Sequence, residues 1–305
     1  MNRRPIADLP APGTRVSLRY RLPAGSQPPL SDVVGHLLAT EPQIRVRTKT
    51  GAVVQIRPED VVVARALTAA PVRTAQIRAT EHAAALAWPG LEQHWLGGWL
   101  LRAAGGHTLR ADSAVPLGMD ADLGSLPEIV RWYADRGLPP LLAVPSRLLR
   151  ILDAAPAVHE SVMLVGTPRT AAPDPDVRLL PRPDAEWLRM SGRDIPVRVW
   201  TAAVDGQVRF AVLPGVGAAR AAVTTAPDGS RRVGVSAVAV EPSQRRRGQA
   251  RRLCTALLSW GAQQGATAAY AEVSSGDAAA LALFGSLGCT EQHRVRHLDA
   301  RSLRT

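Results

Sequence analysis

The chain has 305 residues, 46% hydrophobic and 21% charged, which is enough for two or three packed domains and ordinary for a globular protein. Its net charge of +11 comes from arginine, Lys49 being the only lysine, while aromatic residues make up 4%. Scattered arginines with few stacking surfaces between them argue against nucleic acid as a partner. Cys254 and Cys289 stand too far apart in the sequence to suggest a disulfide framework. No segment reaches the roughly 18–20 apolar residues of a membrane span, and the charged start is followed by Pro5 and Asp8 instead of an apolar signal core. The expectation is a cytoplasmic protein with no membrane partner.

Residues 12 to 67 alternate as short strands: Arg15–Tyr20, Asp32–Leu38, Gln43–Arg47, Val53–Ile56 and Val61–Val63, with turns at Gly51 and at Pro58-Glu59-Asp60. Five short strands over residues 1–68 predict a small SH3-like β-barrel. Tyr20 is its only aromatic residue, so a role in packing against a partner domain is expected over peptide reading.

Residues 68 to 80, containing Pro71, read as a connector. A helix is expected to continue through Ala83–Trp88 until Pro89-Gly90. Gly97–Arg102 and Gly105–Ser113 then read as two antiparallel strands joined by a glycine turn. Leu126–Asp135 predicts a helix, Leu141–Pro145 a strand, Leu148–Ala154 a short helix and Ser161–Gly166 a strand. Five prolines and two aspartates mark 168–183 as an exposed linker. Beyond it, Ala185–Met190 predicts a helix, and Val197–Ala203, Val208–Leu213, Ala219–Thr225 and Arg232–Val240 successive strands, the last two joined at Asp228-Gly229. Ala250–Gln264 reads as a helix, Ala268–Val273 as a strand, Asp277–Leu287 as a helix and His293–Leu298 as a last strand.

The centre of this pattern is Val235–Trp260. A buried-strand run ends at Pro242, and Leu253, Leu257 and Trp260 recur at helical spacing. Between them Arg245-Arg246-Arg247-Gly248-Gln249-Ala250 offers free backbone amides at a helix N-terminus, with arginines beside it, a place for phosphate. This turn resembles the Arg/Gln-x-x-Gly-x-Gly/Ala signature of the GCN5-related N-acetyltransferases. A second block resembles that family too: Glu272-Val273, Asp277, Ala280 and Leu283-Phe284-Gly285-Ser286-Leu287-Gly288 follow its spacing.

The resemblance implies acetyl-CoA as the cofactor. Its pyrophosphate would lie on Arg245, Arg246, Arg247, Gly248, Gln249, Ala250 and Arg251. Its pantetheine arm would run along Val238, Ala239 and Val240, with Ser275, Asp277 and Phe284 opposite. Three departures follow. Asp277 replaces the usual asparagine and would cap a helix, Phe284 replaces a tyrosine that protonates the leaving thiolate, and Gly234 occupies a common general-base position. Glu272 remains as the catalytic candidate, matching a glutamate that some members use as base. A solvated strand-end glutamate paired to an arginine is the alternative. For the acceptor, Trp99, Arg110, Asp112 and Ser113 on the middle hairpin are substrate candidates, beside Trp95 and Arg102. His94, His107, His159 and His293 lack metal-ligand spacing, so no metal is expected. Cys254 on a core-patterned helix argues against an acyl-cysteine route.

The expected fold is therefore α/β, a mostly antiparallel mixed sheet flanked by helices. A degenerate half of the same fold is expected over 69–167, on the substrate side and without a cofactor turn. The linker 168–183 and an acetyl-CoA-binding domain over 184–305 follow. The expected function is acetyl transfer from acetyl-CoA directly to a primary amine, of a small molecule or a protein, by a monomer or homodimer. The alternative is a CoA-binding regulatory protein with little turnover.

Overall fold

Alternation builds the first unit, which ends at Val72. In the computed structural model, which describes residues 9–67, 72–151 and 155–303, its strands are β1 (Arg15–Arg21), β2 (Leu30–Ala39), β3 (Ile44–Thr48), β4 (Val53–Ile56) and β5 (Val61–Ala66). They form one antiparallel sheet in the order β4-β3-β2-β1-β5. Val16, Leu18, Val33, Leu37, Ile44 and Val46 are buried, while intervening Arg19, Arg45 and Arg47 are exposed, as a side-chain period of two requires. β4 and β5 are the edges, with no pairing between them among the described residues. The expected SH3-like barrel is thus not closed. Strand count and alternation specify a buried face, whereas closure depends on tilt and register shear.

The second unit begins at Arg73. Helix α1 (Thr74–Ala87) starts inside the expected connector, its first turn fixed by the Arg73 amide donating to Gln76 Oε1 at 2.9 Å. Of the rest of that connector, 68–71 lie outside the described residues. Strands β6 (Glu92–Leu96), β7 (Trp99–Ala103) and β8 (Val115–Pro116) form a small antiparallel sheet. The hairpin turn is Gly97-Gly98, where both φ angles are positive, so β7 pairs backwards with β6. The expected pairing of Gly105–Ser113 with this strand does not form, and those residues make a loop. Helix α2 (Leu126–Ala134), strand β9 (Leu141–Pro145) and strand β10 (His159–Gly166) follow. The helix expected at 148–154 is absent from its described part, just before which Arg147 takes φ 74, off a right-handed path; 152–154 lie outside the described residues.

Next come β11 (Arg178–Leu180), α3 (Ala185–Ser191), α4 (Val197–Trp200), β12 (Gln207–Leu213), β13 (Gly217–Thr225), β14 (Arg231–Val240), α5 (Gln249–Gln263), β15 (Ala268–Ser274), α6 (Ala278–Ser286) and β16 (Thr290–Asp299). Two expectations change here. The segment 168–183 is fastened to the body, since β11 pairs with β12 and Arg252 of α5 holds Asp174 at 2.7 Å and Asp176 at 2.6 Å. The strand expected at Val197–Ala203 is the short helix α4. Its β-branched Val197 and Val199 look like strand residues, but the turn delivers Trp200 to a core where it meets Trp187 and Trp88 edge to face.

Eight strands form the main sheet in the order β11-β12-β13-β14-β15-β10-β16-β9. One face packs on α5 and α6 through Leu253, Leu257 and Phe284, and the other on α3 and α4 through Trp187, Trp200 and Phe210. The middle segment does not stand apart as the expected half. Its strand β10 lies between β15 and β16, and β16 lies between β10 and β9. Each segment nevertheless contains, in chain order, a helix, three antiparallel strands, a helix, one strand parallel to the third and a last strand, the second segment adding α4 and α6. The parallel step is β14 with β15 in one and the Ala114–Leu142 bridge in the other. The last strands are exchanged. Among the described residues no helix is long and apolar enough to cross a membrane.

Candidate active site

Strands β14 and β15 pair only over Arg232–Gly234 with Ala268–Tyr270. Beyond Gly234 they part, β15 continuing with β10 and β14 with β13. Ala237 takes φ 53, and the β13 register shifts between Ala218 and Arg220, a bulge that turns β14 away. The open end leads into the turn before α5, where Arg246 and Gly248 have φ of 60° and 77°. No side chain caps α5. Its first-turn amides, which have no intrahelical acceptors, thus have no capping side chain either, and the helix dipole adds positive potential there. A Cβ on Gly248 would meet no protein atom within 4 Å. Left-handed φ and open space in front of the amides, not crowding, ask for glycine.

Arg245 Nε donates to the Val240 carbonyl, and Arg251 to Ser286 Oγ and its carbonyl. Arg246 and Arg247 have no hydrogen-bond or ion-pair partner among the described residues and remain exposed. Every residue expected to hold the cofactor lines one groove, except Arg247 and Ser275. Ser275 instead donates its amide to the Glu160 carbonyl at 3.0 Å. The end of α3, Arg189–Gly192, forms a wall the sequence did not announce.

The groove runs into a cleft under the splay, lined by Ser236, Val238, Glu272 and His297 and crossed by Arg110 and Arg193. Glu272 is largely buried. Its Oε2 lies 3.0 Å from Arg110 Nε, its Oε1 accepts from Ser161 Oγ at 2.6 Å, and its carbonyl also accepts from Arg110. Burial alone would raise its pKa, but Arg110, His297, Ser161 and Arg102 outweigh that and bring it to about 2. This carboxylate, expected as a general base, fastens the loop that carries Arg110 and has both oxygens engaged.

Of the substrate candidates only Arg110 reaches the cleft. Trp99 is fully buried and donates Nε1 to the Asp122 carbonyl. Asp112 accepts the amides of Ala104, Gly106 and Thr108, tying the loop that carries Arg110. Ser113 is buried and accepts from Arg102.

A family model described as "Probable histone acetyltransferase Rv0428c C-terminal" matches residues 74–298, and one described as "Rv0428c N-terminal Sm-like domain" matches residues 10–65. The chain is 50% identical over 299 residues, 98% of each chain, to "Probable histone acetyltransferase Rv0428c" of Mycobacterium tuberculosis (strain ATCC 25618 / H37Rv). The chain belongs to this GNAT-like acetyltransferase family. A GCN5-related N-acetyltransferase from Kribbella flavida shares the fold with a TM-score of 0.51 at 19% identity, over 75% of this chain and 96% of its own. A putative GNAT acetyltransferase from Novosphingobium aromaticivorans DSM 12444 does so with a TM-score of 0.51 at 17% identity, over 72% and 96%. The N-terminal unit is accordingly Sm-like, a correction to the SH3-like expectation.

Within this acetyltransferase the departures have structural causes. Gly234 faces the Tyr270 ring, where an added Cβ would lie 2.3 Å from Cζ; tyrosine fills the space a base side chain would need. Phe284 is 4% exposed and packs in the core under α6. Asp277 Oδ1 accepts the Ala280 amide at 2.9 Å and caps α6. Burial pushes the Cys254 thiol up to about 12, with Cys289 adding, so it is no nucleophile. Among the described residues no cluster of three metal-ligating side chains occurs. Ser161, Ser236 and His297 escaped the sequence reading, because only strand order brings β10, β14 and β16 to one cleft.

Proposed function

We propose that this chain moves an acetyl group from acetyl-CoA directly to a primary amine. The observation that carries this reading is the uncapped N-terminus of α5, with unpartnered Arg246 and Arg247, at the open end of the splayed β14 and β15. Those amides and arginines suit a pyrophosphate, and the β14 edge from Val238 to Val240 suits an amide-bearing arm. Acetyl-CoA would bring an already activated thioester, so the protein's task is alignment of the amine and removal of its proton. The middle segment fits a degenerate half of the same fold. Where its cofactor turn would stand, Asp120 and Asp122 precede α2, charges that repel phosphate. The relative's name makes a histone lysine one acceptor to try.

Gly248→Trp is expected to fill the space before the α5 amides and to weaken acetyl-CoA binding at least 100-fold by calorimetry. Unchanged affinity would sink the reading. Thiol release from acetyl-CoA over histone-tail peptides, amino acids and small amines tests turnover. Phe284 and the paired Glu272 favour a second reading, a CoA-binding protein with little turnover, which tight binding without thiol release would support.

A further inference from the structure

A small chamber lies beneath the splay, where α1 meets the sheet. Ser236 and His297 line both the chamber and the cleft above it, while Glu81, Arg102 and Tyr270 line the chamber alone. The chamber offers about 20 Å³ to the centre of a water molecule, room for one water. Two buried atoms of its wall residues, Ser236 Oγ and His297 Nδ1, have no hydrogen-bond partner among the described residues. Groups left so are uncommon in folded proteins and call for a water, a ligand or a chemical role. Glu81 is 6% exposed, and its Oε1 meets His293 Nε2 at 2.6 Å. This carboxylate–imidazole pair takes no part in the cofactor groove.

We propose that the chamber is a proton relay, in which Ser236 and His297 pass the acceptor amine's proton through a bridging water to the Glu81–His293 pair. The inference rests on the transferase reading of the cleft. An ammonium acceptor sheds two protons as its N–C bond forms and the thioester C–S bond breaks. One is held on Glu81–His293 and returns by the same path to the sulfur; the other leaves through the cleft to solvent. Glu272 is unsuited to the task because Arg110 and Ser161 already occupy its oxygens. His297 is suited to it. Burial above all keeps its pKa down, at about 4, with Glu272 opposing and His159, Arg102 and Arg110 assisting. A neutral imidazole accepts at one nitrogen and donates at the other.

The test uses the full chain. Ser236→Ala removes an unpaired hydroxyl, so its folding should be unharmed. In 15N-histidine NMR without acetyl-CoA, exchange of the His293 ring proton with solvent is expected to slow at least tenfold in Ser236→Ala. With the best acceptor from the thiol-release library, Ser236→Ala and Glu81→Gln are each expected to lose at least tenfold in kcat while KM for acetyl-CoA stays unchanged. Exchange as fast as in the native chain overturns the relay, whatever the turnover, and so does full kcat in Ser236→Ala. Slowed exchange with no transfer to any amine overturns the transferase reading and with it the relay's task.

Discussion

At 3.0 Å from Glu272 Oε2, the Arg110 guanidinium decides what that carboxylate does. Glu272 is ordinarily a group of pKa 4.5 and is held at about 2, burial opposing the shift and Arg110 leading the groups that outweigh it. A depressed carboxylate contributes stability above its unfolded pKa and loses it as pH falls through the folded value. The window here runs from about 4.5 down to about 2. Arg110→Met would leave the carboxylate buried without its cation, at an expected cost of about 3 kcal/mol at neutral pH, the low end for a broken buried pair because Arg110 is itself partly exposed. Urea unfolding across pH should show the loss of stability between about pH 4.5 and about pH 2 shrinking in the variant, and an unchanged slope there would disprove the coupling. Glu272 was legible from its block spacing, and Arg110 was singled out on the wrong premise of a hairpin. Their contact spans 162 positions, which no local pattern encodes.

The splayed pair β14 and β15 owes its shape to a few side chains. Counting back from the turn located Gly234 as an empty catalytic position, but the reason lies on the neighbouring strand, where the Tyr270 ring occupies the space and its hydroxyl donates to the Ala83 carbonyl at 3.1 Å. Gly234→Ala should therefore destabilise the chain by about 2 kcal/mol through overpacking. For a unit of this size that is a drop of roughly 4–8 °C in Tm, read by calorimetry; an unchanged Tm would show that the ring moves freely. Helix α5 was readable because Leu253, Leu257 and Trp260 recur at its period and are buried as expected. Helix α4 was not, because four residues hold no period, and the burial of Trp200 against other tryptophans overrode the strand preference of its valines.

Strand exchange joins everything from Arg73 onward into one unit. Residues 168–305 contain the whole cofactor turn, yet without β10 the facing edges of β15 and β16 stand unpaired. That fragment alone should aggregate or lack cooperative unfolding by circular dichroism. A monomeric fragment with a sharp transition would show that the exchange is dispensable. The sequence by itself determined the short-range features: the alternating strands, the amphipathic helices and the glycine turn before α5, because each depends on contiguous residues with a period of two or 3.6. Only the tertiary structure decided which strands pair, that Glu272 is tied down, and that Ser236, His297 and Glu81 share a chamber. Those outcomes depend on strand order and on the burial of charges far apart in the chain, where backbone pairing and desolvation act without a local signature.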